Sequence, residues 1–261
     1  MTRVAIIAAM PDELKTLVRG WKHERRGDGG TGGVNLWRWR YDEGEWVAAC
    51  GGMGADAGTR AFAEIEKDGP ISMAISIGWA GALTEEVEPG RAYKVSGVID
   101  ARTGERFNAS EMGSHPNRKN NDAVRVGHPS GYLAVTNPIV ADEAEKRRLA
   151  AAYEADLCDM EGAIVARLAA MRGIPFYCFK AVSDGLTDRL PDFNRFISAS
   201  GQMQLTRFIL FALLRPIYWP ALIRMGENSR KASQSIAESV LDFLDERGHV
   251  RKRNGYPNFK P

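Results

Sequence analysis

The predicted architecture depends first on the segment Asp156-Leu157-Cys158-Asp159-Met160-Glu161-Gly162-Ala163, which leads into the apolar run 164–170. Asp159 is a favourable N-cap for a helix over that run, and Glu161 falls in the first turn, where the helix dipole favours an anion. Gly162 has no side chain, so a ligand or another backbone segment can approach closely. Capping alone would also explain these residues, with Glu161 facing solvent.

Glu13 stands where a strand pattern gives way to a helix pattern. Residues 4–9 form a continuous β-branched apolar run, which is typical of a strand buried on both faces. The run ends at Met10-Pro11-Asp12-Glu13, and proline suits the first turn of a helix. We therefore expect Glu13 at the carboxyl edge of a sheet, where open α/β sheets bind ligands.

Two more apolar runs end in distinctive residues. Residues 71–77 predict a buried strand, followed by Gly78-Trp79-Ala80-Gly81, whose small residues leave room for a flat group beside the tryptophan. Residues 174–182 predict another strand, which ends at Ser183 and Asp184. In isolation, an ordinary polar turn would explain that end equally well.

The turn Gly51-Gly52-Met53-Gly54 precedes a predicted helix over residues 55–67. A Gly-rich turn of this kind could cradle an anion, although it lacks the Lys-Ser/Thr of a P-loop and the rest of a dinucleotide fingerprint. Close packing of the helix on its strand explains the glycines about as well.

Strand and helix patterns alternate along the chain without a linker, which predicts an α/β fold with one three-layer α/β/α domain. We assign residues 1–246 to this domain, including a helical extension over about residues 202–246, and residues 247–261 to a basic tail. Residues 101–131, rich in Asn, Gly, Ser and charged residues, predict a long excursion from the sheet.

Two segments between the predicted strands are mostly polar. Residues 21–31 are Gly-rich and predict a loop. Residues 142–153 predict a helix with Lys146, Arg147 and Arg148 on its solvated face.

Composition and charge argue against several classes of protein. A chain with 44% hydrophobic and 26% charged residues is typical of soluble globular proteins, and a net charge of +2 does not suggest a nucleic-acid partner. The three cysteines are far apart and the four histidines lack metal-ligand spacing, so neither a disulfide framework nor a metal site is predicted. The first residues do not resemble a signal peptide, and we expect a cytoplasmic protein.

Four motifs resemble the purine nucleosidase/phosphorylase superfamily: residues 9–13, 78–81, 159–162 and 183–184. The most similar families are the methylthioadenosine/S-adenosylhomocysteine nucleosidases and the hopanoid-associated phosphorylases. Each motif alone is modest, but four in the same order are hard to produce by chance. The resemblance implies the fold of that superfamily, with a central mixed, twisted sheet between two helical layers.

The resemblance also implies roles in cleaving the N-ribosidic bond of a purine nucleoside, a reaction with an oxocarbenium-like sugar. Asp184 would be the general acid that protonates the purine, placed by Ser183, and Glu13 would activate water. Glu161 would accept hydrogen bonds from the ribose hydroxyls, and Met160 would pack against the sugar. No metal or organic cofactor is implied.

Trp79, Ala80, Gly81 and Phe193 complete the substrate-binding residues implied by the resemblance. Phe193 would stack on the base, although a core aromatic that opens a helix is the alternative. Trp79 departs from the nucleosidases, which carry a small polar residue there, so the space near the anomeric carbon could differ. The phosphate-gripping arginines of the phosphorylases are absent from residues 78–82.

Three functions remain open at this point. Hydrolysis of a 5′-substituted adenosine is favoured, because Glu13 is present and the arginines are missing. Phosphorolysis of a nucleoside, which could be lipid-linked, is the first alternative, with phosphate as a second substrate. A non-catalytic nucleoside-binding module, in which Trp79 crowds the nucleophile, is the other. Relatives are usually dimers, so we expect a homodimer.

The C-terminal extension goes beyond the compact nucleosidases. Its apolar run 208–214 is followed by residues 215–224, and Arg215 and two prolines interrupt it well short of the ~20 residues that span a bilayer. A buried helix or a dimer contact is the favoured interpretation. The alternative is a peripheral membrane contact through residues 208–224, with Tyr218 and Trp219 at the surface. A comparable extension occurs in the hopanoid-associated relatives, whose substrate carries a lipid.

Overall fold

A single large sheet forms the centre of the molecule. The computed structural model describes residues 2–27, 32–41, 44–110, 132–135 and 142–247, with the backbone alone for 132–135. Within those ranges the sheet has eleven strands. In chain order they are β1 (Thr2–Ala8), β2 (Lys22–Arg26), β3 (Val34–Tyr41), β4 (Gly44–Cys50), β5 (Met73–Ala82), β6 (Ala92–Val95), β7 (Gly97–Asp100), β8 (Arg106–Asn108), β9 (Tyr132–Val135), β10 (Ala155–Asp159) and β11 (Phe176–Asp184).

Helices cover both faces of this sheet. Over the same residues they are α1 (Pro11–Leu14), α2 (Ala55–Glu66), α3 (Glu143–Tyr153), α4 (Gly162–Met171), α5 (Leu205–Leu213) and α6 (Trp219–Glu246), with 3-10 turns at Phe193–Phe196 and Pro216–Tyr218. The strands β1 and β4 are almost continuously apolar because each is buried on two faces.

Strand β5 is the central strand. It pairs in parallel with β1 on one side and with β11 on the other, and its carboxyl end pairs antiparallel with β10. The sheet is therefore mixed, with β2, β3 and β4 beyond β1 and with β9, β7 and β8 beyond β10. This arrangement confirms the predicted three-layer α/β/α fold.

Two apolar clusters fix the layers. On one face, α2 and α4 contribute buried residues such as Phe62 and Val165. On the other face, α6 contributes Ile236, Val240 and Leu244, whose four-residue spacing places them on one stripe of the helix. The predicted helical extension over about residues 202–246 thus includes the part of α6 that packs against the sheet.

The predicted loop over residues 21–31 is partly wrong, because residues 22–26 form the edge strand β2. The strand carries charged side chains in place of an alternating apolar pattern, which is a common protection of sheet edges. Contacts with the neighbouring strand take the place of apolar packing: Arg38 of β3 forms an ion pair with Glu24 of β2 at 3.1 Å. Such a strand is stabilised by pairing with its neighbour, and its own sequence carries little β-strand pattern.

The predicted excursion over residues 101–131 is described only in part. Residues 101–110 form a turn and the short strand β8, which pairs with β7. Residues 111–131, and with them the polar run 117–122, lie outside the described residues. The same holds for all of the predicted basic tail except Arg247.

Helix α5 does not close the core, so the favoured interpretation of a helix buried within the domain is wrong. None of its residues is buried, and Leu210 and Leu213 are more than half exposed. Over the described ranges no single helix is long and apolar enough to cross a membrane. Only the pair formed by α5 and residues 216–246, bent by 101°, passes such a test of length and composition together.

Candidate functional site

The carboxyl end of β5 gathers the segments that carry the predicted site residues. The register places Asp184 of β11 opposite Gly81, and β10 approaches the same glycine from the other side. A β-bulge at the end of β11 redirects the chain there. Glu13 follows β1 and reaches the main chain of Trp79. The structure therefore brings Glu13, Glu161 and Asp184 to one edge of the sheet.

The carboxylate of Glu13 is buried and held by the main chain from two sides. Its Oε2 accepts hydrogen bonds from the amides of Ala9 (2.8 Å) and Met10 (2.9 Å), and its Oε1 accepts one from the amide of Trp79 (2.8 Å). Burial raises the pKa of Glu13, while these hydrogen bonds and the charge of Lys180 lower it. A carboxylate offers about four acceptor positions, so one on Oε1 remains for a further donor.

Glu161 occupies the N-cap position of α4, one residue before the predicted first turn, and its side chain does not cap the helix. Its Oε1 instead accepts a hydrogen bond of 2.6 Å from the amide of Gly54. The Gly-rich turn before α2 therefore binds the protein's own carboxyl group, that of Glu161. Burial, reinforced by the charges of Asp159 and Glu13, raises the pKa of Glu161 to about 8.

Asp159 and Lys180 form a buried ion pair beside Glu161. Asp159 also accepts the amide of Gly162 at 3.0 Å, so it serves the start of α4 although it lies outside the N-cap position. Burial opposes the charged form of Lys180, but Asp159 and Glu161 raise its pKa. The ammonium partly offsets the negative charge around Glu161.

Two side chains hold Asp184. The hydroxyl of Ser183 donates to Oδ1 at 2.7 Å, and the ammonium of Lys146 donates to Oδ2 at 2.5 Å. Lys146 also donates to the carbonyl oxygen of Gly185 at 2.9 Å. The contact from Ser183 fits the placing role that the resemblance gives it, whereas the lysine was not among the predicted site residues.

The predicted location of Lys146 on a solvated face is wrong. Its side chain is fully buried, whereas Arg147 and Arg148 are exposed as expected. Lys146 lies three and seven residues before Leu149 and Tyr153, which pack into a small apolar cluster. The signal that could have revealed it is this position on the apolar stripe of α3, where a lysine needs an acidic partner or a route to water.

Trp79 contributes its main-chain amide to the site, and Ala80 and Gly81 contribute by their small side-chain volume. The indole N–H of Trp79 donates to Ser233 of α6 at 3.1 Å, so the ring is anchored on that helix. Ala80 is buried, and a Cβ built on Gly81 would lie only 3.2 Å from Asp184 Oδ2. The described contacts of Trp79 therefore give no support to a ring that crowds the nucleophile.

Met160 lies beside the turn that binds Glu161, whereas the described ring contact of Phe193 is with the C-terminal extension. The terminal methyl of Met160 is 3.9 Å from a Cβ built on Gly54, next to the turn that binds Glu161. Phe193 opens a 3-10 turn, and its ring centroid is 5.3 Å from that of Phe208 on α5. This packing corresponds to the core-aromatic alternative, and stacking on a base stays a prediction.

Six ionisable side chains are buried at this edge, four with a carboxyl group and two with an amino group: Glu13, Asp159, Glu161, Asp184, Lys146 and Lys180. In the part of the chain that the structure describes, no group of three or more His, Cys, Asp or Glu side chains could hold a metal ion.

Comparison with known proteins agrees with this geometry. The model of the Phosphorylase superfamily matches residues 3–212. The aminodeoxyfutalosine nucleosidase of Campylobacter jejuni subsp. jejuni is 25% identical over 227 residues, which cover 80% of this chain and 97% of that protein.

Solved structures show the same fold. The 5′-methylthioadenosine/S-adenosylhomocysteine nucleosidase of Helicobacter pylori superimposes with a TM-score of 0.68 at 15% identity, covering 94% of this chain and 98% of that one. The S-adenosylhomocysteine nucleosidase of Streptococcus pyogenes gives 0.66 at 18% identity, with coverages of 94% and 97%. Because the family model spans most of the sequence, the chain belongs to the phosphorylase superfamily of enzymes.

Proposed function

We propose that this protein hydrolyses the N-ribosidic bond of a purine nucleoside, with a 5′-substituted adenosine as substrate. The observation that carries the proposal is the arrangement of Glu13 and Glu161 beside each other, with Asp184 across Gly81 at the same sheet edge. One carboxylate would serve the attacking water, one the sugar and one the leaving base, as bond cleavage through an oxocarbenium-like sugar requires.

The surroundings of Glu13 favour water over phosphate. Main-chain amides are common phosphate ligands, and three at this edge, those of Ala9, Met10 and Trp79, already donate to Glu13. A phosphate would therefore meet a carboxylate in place of free N–H groups. The remaining acceptor position on Oε1 suits a water molecule, whose proton Glu13 would accept during attack.

The leaving base would be protonated from Asp184. The carboxyl is fixed by Ser183 and Lys146, and Gly81 leaves it space in the site. Protonation of a purine nitrogen makes the base a better leaving group as the glycosidic electron pair moves onto it. Glu161 would hold the ribose hydroxyls through Oε2, since Oε1 is engaged by the turn at Gly54.

The names of the relatives suggest which nucleosides to test. They specify 5′-methylthioadenosine, S-adenosylhomocysteine, aminodeoxyfutalosine and futalosine. We would incubate the purified protein with methylthioadenosine and S-adenosylhomocysteine, with and without inorganic phosphate, and measure free base and sugar product. Base released without phosphate, together with the free sugar, is the expected result.

Two other outcomes would contradict hydrolysis. A strict requirement for phosphate, with a sugar 1-phosphate as product, would establish phosphorolysis. Tight binding of every nucleoside without turnover would leave a binding module. The expected homodimer is a separate part of the proposal and would be tested by sedimentation velocity.

A further inference from the structure

The C-terminal extension carries eight of the nine large hydrophobic side chains that are exposed in the described residues. Six side chains there are between 60% and 81% exposed, and we call them the extension face: Leu205, Leu210, Leu213, Leu214, Ile217 and Ile223. Surface patches of contiguous apolar residues usually mark interaction sites.

The charged side chains within residues 193–226 all have one sign, and two of them, Arg195 and Arg224, pair with Asp192 and Asp188 outside that range. Residues 193–226 contain no Asp or Glu, whereas arginines occur at 195, 207, 215 and 224. Arg215 lies over the ring of Phe211 at 4.2 Å, within the extension itself. An exposed apolar surface edged by arginines is complementary to anionic lipid headgroups above acyl chains.

A second copy of this chain fits the extension face less well. A two-fold interface places the same patch of each subunit against itself, so the arginines of one copy would approach those of the other. Asp192 and Asp188 already pair with Arg195 and Arg224, so the repulsion would come from Arg207 and Arg215, and the segment has no acidic residue of its own to offset it. Charge complementarity therefore selects an anionic surface over a self-association surface.

We propose that the extension face docks the protein on an anionic lipid surface as a peripheral contact. It does not insert as a span, because α6 from Ser229 onward is buried against the sheet through Ala232 and Ile236. The inner side of α5 meanwhile packs Phe208 between Phe193 and Phe196, 5.3 and 5.5 Å away. Docking would thus bring a lipid surface to the outside of the helix that packs against Phe193.

Vesicle cosedimentation tests this proposal without any assay of activity. The full chain is mixed with vesicles of phosphatidylcholine alone or with added phosphatidylglycerol, at low and high salt. We expect binding to the anionic vesicles, weakening with salt, and about a fivefold loss for Arg215→Gln. Leu213→Glu with Ile217→Glu should abolish binding, whereas Met171→Glu, at an equally exposed apolar residue on α4, should not.

Protein that stays in the supernatant with anionic vesicles at low salt would overturn the proposal. So would an equal loss of binding in Met171→Glu. If the wild-type chain is a dimer that the double glutamate variant dissociates, and neither binds vesicles, the extension face is an interface between copies.

A second inference, which rests on the proposed hydrolysis, concerns Lys146. We infer that Lys146 is a positioning residue that holds the proton used by Asp184. Its ammonium is fully buried, and two of its three N–H groups are directed at Asp184 Oδ2 and Gly185 O. A proton passes from Nζ to the carboxylate of Asp184 and from Asp184 to the lone pair of a purine ring nitrogen, while the glycosidic C–N bond breaks and its electron pair moves into the base. Lys146 is left as a neutral amine and recovers its proton from solvent.

Chemical rescue separates this role from a structural one. We expect Lys146→Ala to lower kcat by 10- to 100-fold with little change in KM, and added methylamine or ethylamine to restore part of it. Arg147→Ala, one residue away and exposed, serves as the control. A folded Lys146→Ala with wild-type kcat, or with a loss that no amine restores, would refute the role. If the wild type itself releases no base, the proposed function fails instead.

Discussion

Glu13 accepts hydrogen bonds from both the β1 loop and the end of β5, so it links two segments of the main chain and also faces the site. Asp184 combines the same two properties, because Lys146 and Ser183 fix it from α3 and β11. Structural and chemical roles therefore coincide in single side chains. Substitutions at these residues need a measurement that separates the two.

Replacement of Glu13 by glutamine is expected to lower kcat by at least 100-fold. Glutamine has one carbonyl oxygen, so its amide group would oppose one of the three main-chain N–H groups that Glu13 binds. It also cannot accept a proton from water. Steady-state hydrolysis of methylthioadenosine measures the effect, with the exposed neighbour Asp12→Asn as the control.

Asp184→Asn should lower kcat by about 10²- to 10⁴-fold while KM changes much less. Asparagine keeps the shape of the side chain and can still contact Ser183, but it has no acidic proton for the base. The same kinetic assay gives kcat and KM. A variant that cleaves at the wild-type rate would show that another group protonates the base.

The last residues of strand β5 position the site, because two glycines there leave room for the carboxyl groups of neighbouring segments. At Gly78 the backbone adopts φ +152°, and a Cβ built there would lie 2.9 Å from Glu13 Oε1 and 3.4 Å from Lys180 Nζ. Three residues further on, Gly81 leaves comparable room for Asp184. The glycines are therefore required by the carboxylates that approach the strand.

Gly78→Ala is accordingly expected to displace Glu13 and to reduce kcat/KM by about 100-fold, an amount typical of a small misplacement of a reacting group. Gly173→Ala is the matched control. It also has a positive φ, +63°, but a Cβ there would meet nothing within 4 Å. Equal losses in activity from both variants would attribute the effect to backbone strain alone.

The buried charges also set how the stability of the whole molecule depends on pH. Glu161 has a pKa of about 8 in the folded protein, against a usual value of 4.5. The folded state therefore keeps a proton that the unfolded state releases, and this group makes the protein less stable as the pH rises from about 4.5 to 8.

Glu161→Gln removes this dependence. Relative to the wild type, the variant should gain stability between pH 5 and pH 8, by an amount on the order of a few kcal/mol. Denaturant unfolding of both proteins at the two pH values measures the difference. A constant difference between them would mean that Glu161 is already ionised in the folded protein.

Much of this molecule follows from local patterns in its sequence. The apolar runs and the acids at strand ends led to the three-layer fold and to Glu13, Glu161 and Asp184 as candidates, because hydrophobic periodicity and the order of segments along the chain are read directly from the sequence. The charged strand β2 and the exposed helix α5 were predicted incorrectly. Strand β2 depends on its pairing with β3, and no described residue covers the outer side of α5.

Only the tertiary structure determined the hydrogen-bond partners of the buried ionisable side chains. Lys146 is separated from Asp184 by 38 residues and Glu161 from Gly54 by 107, so neither pairing leaves a periodic signal in the chain. These contacts form in a sheet in which β10 and β11 both pair with β5, so that distant segments of the chain lie side by side. Burial then gives these contacts their strength, because a charge removed from water depends on the few groups packed against it.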